Sequence, residues 1–377
     1  MTHKFESGPI RPPSEASSIL LRLTRSCPWN RCAFCHSYED MKFSIRTVDE
    51  IKSDIDAMHF IAAQVLDITE KNGGIPHVPV LKKMAAEQDI DFRCMEVVAF
   101  WLSYGMKSLF LQDADSLVMK TPDIVHILEY MLEKFPSIKR ITTYARARTV
   151  HSKSAEDLAA IKAAGLNRIH IGMESGSDEA LKMINKGIDS AVQISAGKKA
   201  VAAGFELSEY FMPGIGGEAL SERNALETAS VINQINPHFI RLRSTVPLPG
   251  TALHDLMAAG TWVPVSEEGK IREIKTFLNA LDENITSHIS SDHIMNLIED
   301  IEGDLPSDRA AMIASADRFL NMPVEDREMY ILGRRTGRFR HLSDYRPTAE
   351  LQNMRSSILA QFGTVDAAVL EILKNYI

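Results

Sequence analysis

The sequence predicts an α/β fold arranged as a partial (β/α)6 barrel, and three observations point to it. Six short apolar segments read as buried strands, helical patterns separate them, and polar or charged residues follow the strands' C-terminal ends. Strand–helix alternation requires a parallel sheet with helical crossovers, and six strands close only part of a barrel or a strongly curved open sheet. In either, functional groups collect at the C-terminal ends of the strands.

The elements follow in order. Residues 1–17, rich in Pro and Ser, read as an extended lead-in, and Ile19 to Thr24 as the first buried strand. Val48 to Tyr104 is a long helical stretch broken by GGIPHVP at Gly73 to Pro79, too long for one crossover and read as an inserted helical segment. Strands are expected at Ser108 to Leu111, Arg140 to Tyr144, Arg168 to Gly172, Phe205 to Met212 and Phe239 to Ser244. Helical patterns such as Thr121 to Lys134 and Ala155 to Ala164 lie between them. The barrel is thus expected over 18–255. A mainly helical C-terminal cap is expected over 256–377, with helices at Glu267 to Leu281, His293 to Glu302, Ser307 to Leu320 and Glu325 to Gly333 and a strand signal at Asn284 to Ser290.

Composition narrows the function classes. The chain has 377 residues with ordinary apolar and charged fractions, which excludes disorder. No apolar run approaches the ~18 residues of a membrane span, and the N-terminus lacks a signal-like apolar core, so a cytoplasmic protein is expected. A formal charge of −8 opposes broad attraction to phosphate backbones. Three of the four cysteines, Cys27, Cys32 and Cys35, crowd into one segment, while Cys94 stands alone. That distribution suits a metal or cluster site better than a disulfide framework.

The segment reads CPWNRCAFCHSY, a Cys-x4-Cys-x2-Cys spacing directly after a strand. Three thiolates can hold three irons of a cubane and leave the fourth iron open to a ligand. A zinc site completed by His36 also satisfies tetrahedral geometry, and CAFCH matches a haem-attachment string that belongs to exported proteins. The segment resembles the cluster loop of the radical SAM superfamily, usually Cys-x3-Cys-x2-Cys with an aromatic before the last cysteine, here Phe34. It departs by one residue between the first two cysteines, so the loop must bulge. The resemblance implies one 4Fe–4S cluster on Cys27, Cys32 and Cys35, and S-adenosylmethionine (SAM) chelated at the open iron. An electron from the cluster would then yield a 5′-deoxyadenosyl radical, with reduced flavodoxin or ferredoxin as the class of donor.

Further segments resemble the same family's cofactor cradle. After the second strand, FLQDADSL offers Asp113 for the methionyl amino group, with Asp115 and Ser116 behind it or acting as helix caps. The third strand ends in TTYARAR, placing Tyr144 and Arg146 on one face. The fourth runs into RIHIGMESGSDEALKMINKG, resembling elongator-type and coproporphyrinogen-dehydrogenase-type members. There Gly172 would allow close backbone approach, Glu174 would accept from the ribose, and Lys186 would meet the methionyl carboxylate or simply be a solvated lysine beside Gly187. Glu209 on the fifth strand is a second ribose candidate, and the sixth offers Arg241 and Arg243, of which Arg243 is assigned to SAM.

The chain as given carries none of the domains that specialise methylthiotransferases, cobalamin-dependent methylases or acetyltransferase fusions, so a single cluster is expected. The expected reaction is hydrogen abstraction from an unidentified, small anionic substrate; the lack of an apolar span argues against a membrane partner and the negative charge against a nucleic-acid one. Two readings compete with it: a non-catalytic iron–sulfur or zinc protein, and an RNA-modifying enzyme using the basic, aromatic stretch Glu325 to Arg340.

Overall fold

The apolar runs read as strands do form strands. In the computed structural model, which describes residues 2–374, the strands are β1 (Ile19–Arg22), β2 (Thr24–Arg25), β3 (Ser44–Ile45), β4 (Ser108–Gln112), β5 (Arg140–Ala145), β6 (Arg168–Glu174), β7 (Glu206–Phe211), β8 (Phe239–Leu242), β9 (His288–Ser290) and β10 (Gly303–Asp304). Eight of them form one sheet in the order β1-β4-β5-β6-β7-β8-β9-β10, while β2 and β3 pair separately. β1–β4, β4–β5, β7–β8 and β8–β9 are parallel, and the edge strand β10 runs antiparallel to β9. The expected α/β class with a largely parallel sheet is therefore what the chain forms.

By packing, the chain divides into two units, Met1–Asn30 with Ser37–His170 and Ala202–Glu206, and Arg31–His36 with Ile171–Val201 and Leu207–Ile377. In unit one, Ile19 and Leu21 of β1 lie beside Leu109 and Leu111 of β4, and all four are fully buried. Three helices, Val48–Asn72, Val78–Glu87 and Phe92–Ser103, occupy the expected insert. A capping box between Thr47 and Glu50 starts the first, and Gly73, at φ +68°, ends it where the GGIPHVP breaker begins. The Pro- and Ser-rich lead-in is tied in closely. His3 bridges Ile90, the Phe5 amide donates to Cys94 Sγ at 3.4 Å, and the Gly8 amide donates to Gln112 Oε1 at 2.7 Å. Glu6 accepts from both Arg22 and Arg25 at 2.7 Å and faces Arg46 at 3.6 Å.

In unit two, helices Gly217–Ile235 and Glu267–Ala280 pack on each other behind the strands, followed by Arg309–Leu320, Val324–Arg335, Ala349–Phe362 and Val365–Leu373. No single helix among the described residues is long and apolar enough to cross a membrane.

Three expectations need correcting. The first strand does not run on through Thr24: Leu23 breaks from β1, and Thr24–Arg25 turns to pair antiparallel with Ser44–Ile45. The helix expected at His293 to Glu302 is absent, and the segment is a chain of turns. Its polar side chains compete for the backbone: Ser291 Oγ donates to Ile298 O at 2.9 Å, and the Met295 amide donates to His293 Nδ1 at 3.2 Å. Carbonyls a helix would have used are met instead by Arg335, which donates to Ile294 O at 3.2 Å and Met295 O at 3.0 Å, and by Tyr330 O–H, which donates to Leu297 O at 3.3 Å. The basic, aromatic stretch Glu325 to Arg340 is not an unpaired basic face, because its arginines are engaged by carboxylates and part of it is buried. Arg327, Arg334, Arg335 and Arg340 pair with Glu268, Glu299, Glu267 and Glu299, and Tyr330 is buried with Phe339 stacked on it at 5.4 Å.

Candidate active site

Within unit one, the expected cofactor carboxylate Asp113 is enclosed by protein. Its Oδ2 accepts from Arg22 Nε at 2.9 Å, Arg22 Nη2 at 2.6 Å and the Ser26 amide at 3.0 Å. Gly8 lies over its Oδ1 so closely that a Cβ there would sit 1.9 Å away, which is why the lead-in carries glycine at this point. Asp113 is thus an anchor: it fixes the backbone of Ser26, a non-glycine residue at φ +71° immediately before Cys27. The loop is held further on by Ser26 Oγ donating to Met41 O at 2.9 Å and Asn30 Nδ2 donating to Tyr38 O at 2.8 Å.

Asp115 is also buried, and it accepts from Thr149 Oγ1 at 2.5 Å. Burial pushes its carboxyl up to about 7, against the pull of Thr149 and Arg146. It supplies no side-chain cap to the short turn Ser116–Val118. Tyr144 packs edge-on against Phe110 at 5.1 Å and His170 at 5.8 Å, and the Arg146 guanidinium lies 5.3 Å over the Trp29 ring of the cysteine loop.

Within unit two, residues 31–36 form the other end of the loop. The Cys35 amide donates to Cys32 O at 3.1 Å, closing a turn around the last two cysteines. The Ala33 amide donates to Ile184 O at 2.8 Å, and Ala33 O accepts from the Leu253 amide at 2.7 Å. Phe34 packs on an apolar cluster of Ala33, Ile184, Met212, Ile215, Leu253 and Trp262, so here the aromatic seats the loop.

The end of β6 carries the densest charge in this unit. Glu174 sits at φ +65°, a strained conformation for a residue with a Cβ, and its carbonyl accepts from the Met212 amide at 2.8 Å. Its side chain turns back so that Lys186 Nζ donates to Glu174 Oε1 at 2.8 Å. Gly172 makes room for that pair: a Cβ there would come within 2.3 Å of Glu174 Oε1 and 3.2 Å of Lys186 Nζ. Glu209, on β7, is 1% exposed, and its Oε2 has no hydrogen-bond partner. Burial pushes its carboxyl well above the usual range, Lys186 pulls it back and Glu174 adds to the rise.

The two arginines at the end of β8 separate. Arg241 is buried and pairs with Asp292 at 3.2 Å, whereas Arg243 is half-buried and its guanidinium has no ion pair or hydrogen bond among the described residues. His293 was not anticipated as a site residue; it lies on the turn segment expected to be helical, and the charge of Arg243 acts on its ring.

None of the four cysteines is in a disulfide; Cys35 is exposed, Cys27 and Cys32 are half-buried, and Cys94 is buried. Among the described residues no three His, Cys, Asp or Glu side chains are assembled around one metal position, so the ligand set rests on the spacing of the loop. Three thiols outside any disulfide, on a loop anchored at both ends, are nonetheless the donor chemistry an iron–sulfur cluster requires. A family model described as the Radical SAM superfamily matches residues 21–229.

The chain belongs to the radical SAM superfamily. Its members are enzymes that use a 4Fe–4S cluster and SAM. Among solved structures, this radical SAM protein is similar to archaeal Methanocaldococcus infernus Elp3 with an N-terminal deletion, at 18% identity over 49% of this chain and 48% of that one, with a TM-score of 0.40. It is similar also to the radical SAM methyltransferase TsrM from Kitasatospora setae with cobalamin and a [4Fe–4S] cluster bound, at 12% identity over 64% of this chain and 39% of that one, with a TM-score of 0.44. A third neighbour is coproporphyrinogen III oxidase HemN from Escherichia coli, at 15% identity over 46% and 39%, with a TM-score of 0.37. The chain spans about half or less of the length of these three proteins. No curated protein matches it.

Proposed function

We propose that this protein cleaves SAM reductively and uses the resulting radical to take a hydrogen atom from a small anionic substrate. The observation that carries this reading is the Cys-x4-Cys-x2-Cys loop within the matched domain, its thiols outside disulfides and its backbone pinned at Ser26 and at Ala33. Cys27, Cys32 and Cys35 are the three ligands. When bound, the cluster supplies the electron that splits SAM into methionine and a 5′-deoxyadenosyl radical.

The chain's own residues hold and orient. Arg22 and Asp113 fix where the loop begins, which limits how far Cys27 can wander. Lys186, now paired with Glu174, is the cation for the methionyl carboxylate, and releasing it leaves Glu174 to accept from the ribose hydroxyls. Glu209, with its unbonded Oε2, is the second candidate for the ribose hydroxyls. Asp113, which the sequence offers for the methionyl amino group, is assigned here to the scaffold. Tyr144 and Arg146 stay as candidates for cofactor contact, with Arg146 also steadying Trp29.

The test is direct. Protein reconstituted anaerobically with iron and sulfide, then given dithionite and SAM, should form 5′-deoxyadenosine. A zinc or electron-carrier protein forms none, and that result would retire the enzymatic reading.

A further inference from the structure

We infer that Arg243 and His293 form a binding site for a single carboxylate of the substrate; this rests on the reading of the protein as a radical SAM enzyme and moves Arg243 from the cofactor to the substrate. The site lies at the C-terminal end of β8, where an α/β sheet presents ligand-binding groups.

The segment carrying His293 is built to hold one shape. Asp292, just before it, pairs with Arg241 of β8. Asn296, three residues after it, donates to Leu242 O at 2.8 Å and accepts at Oδ1 from the Ser244 amide at 2.9 Å and from Ser244 Oγ at 3.1 Å. His293 is therefore clasped to residues 241–244 on both sides, with Arg243 in the middle of the stretch that holds it. From behind, Arg334 and Arg335 meet the carbonyls of Ile294, Met295 and Asn296. That leaves no role for a second helix turn and every reason for the imidazole to stay where it is.

The chemistry of the two side chains then defines the ligand. His293 Nδ1 accepts from the Met295 amide, so a neutral ring carries its proton on Nε2 and presents a donor there. Burial, and next the charge of Arg243, lower the His293 pKa to about 4, which keeps the ring neutral near pH 7. Arg243 contributes one permanent positive charge and a planar fork of donors that no protein acceptor takes among the described residues. One cation and one neutral donor balance a carboxylate of charge −1; a phosphate dianion would call for a second cation, and the nearby arginine, Arg241, is already paired with Asp292.

The experiment follows His293 itself. In cluster-loaded protein with 13Cε1-labelled histidine, the His293 signal is identified among the 12 histidines by its loss in His293→Asn, a change that keeps an acceptor for the Met295 amide and removes the Nε2 donor. Propionate, inorganic phosphate and SAM are then titrated separately. Propionate should move the His293 signal saturably, at least tenfold more weakly in Arg243→Gln and to an intermediate degree in Arg243→Lys, and phosphate should bind several-fold more weakly than propionate. A His293 signal indifferent to propionate, an unchanged titration in Arg243→Gln, or tighter binding of phosphate overturns the inference. So does a tenfold loss of SAM affinity in Arg243→Gln larger than its loss for propionate, which would return the arginine to the cofactor. Absence of 5′-deoxyadenosine from the wild type would instead defeat the enzymatic reading, while the propionate titration still decides the carboxylate site.

Discussion

The strand ends of the two units use charge in opposite ways. In unit one the ionised groups pair with one another: Arg22 with Asp113, Glu6 with three arginines, and Arg46 with Asp54 at 2.6 Å. In unit two some are left with capacity to spare. Glu209 has an unpartnered buried oxygen, and Arg243 has no protein acceptor among the described residues. A carboxylate locked to a cation steadies a fold, whereas a charged or buried group without an ion partner can recognise a ligand; the second oxygen of Asp113 is also unbonded, but Gly8 closes over it and leaves no room for one. The lesson is that a carboxylate at a strand end is assigned by what surrounds it, as Asp113 and Glu209 demonstrate.

Substitutions can break that contrast, and the largest effect belongs to the loop. Cys27→Ala, Cys32→Ala and Cys35→Ala should each bring 5′-deoxyadenosine formation to background. Cys94→Ala should keep it near wild type, because Cys94 is buried against Phe5, where burial raises its thiol to about 11. Equal loss at Cys94 would show the ligand set to be wrong.

Next comes the scaffold side of the comparison. Asp113→Ala leaves Arg22 buried beside an empty space and should cost about 3–5 kcal/mol of stability, the usual penalty for breaking a buried ion pair. Denaturant unfolding reads it, and a change near zero would mean that Asp113 is not the anchor described here.

The ligand side should respond in affinity. Glu174→Ala is expected to weaken SAM binding by about 1.5–3 kcal/mol, the scale of a charged hydrogen bond, with iron content unchanged. If calorimetry finds SAM affinity intact, the ribose contact passes to Glu209.

The smallest effect is one of pH. Asp115 in unit one and Glu273 in unit two are both buried, and burial lifts each to about 7. A carboxyl raised in the folded state holds its proton there more tightly than in the unfolded chain. Its contribution is therefore complete below the ordinary range near 4 and declines as pH climbs to about 7. Thermal stability measured between pH 4 and 7 should fall with rising pH, and Asp115→Asn or Glu273→Gln should each flatten the slope. An unaltered slope in both variants would contradict the burial account.

Much of the framework could be read in the sequence because it depends on local pattern. The helix at Thr121–Lys134 and the strand starts at Ser108, Arg140, Arg168 and Phe239 fall where apolar periodicity puts them. Glu174 and Lys186, read from the sequence as separate contacts to the ribose and the methionyl carboxylate, pair with each other in the structure. What could not be read depends on distant partners. Nothing near Asp113 announces that Arg22 and Gly8 will enclose it, and the apolar spacing at 293–302 looks helical until the arginines of Val324–Arg335 take its carbonyls. The crowding of Ser, Asp, His and Asn at Ser291 to Asn296 was the available signal, since such side chains favour turns. Short strands such as β10 and the final two helices, Ala349–Phe362 and Val365–Leu373, carry too little pattern of their own.

The lead-in has a consequence for the order in which the molecule is made. Gly8 is secured by Gln112, whose strand lies beyond the whole three-helix insert, whereas Glu6 is held by Arg22, Arg25 and Arg46, all before or at the start of that insert. Contacts of long separation close late in folding, after nearer ones have formed. The seat of Gly8 over Asp113 is thus a late-closing contact, and a longer or stiffer insert would delay it while leaving the salt bridges of Glu6 alone.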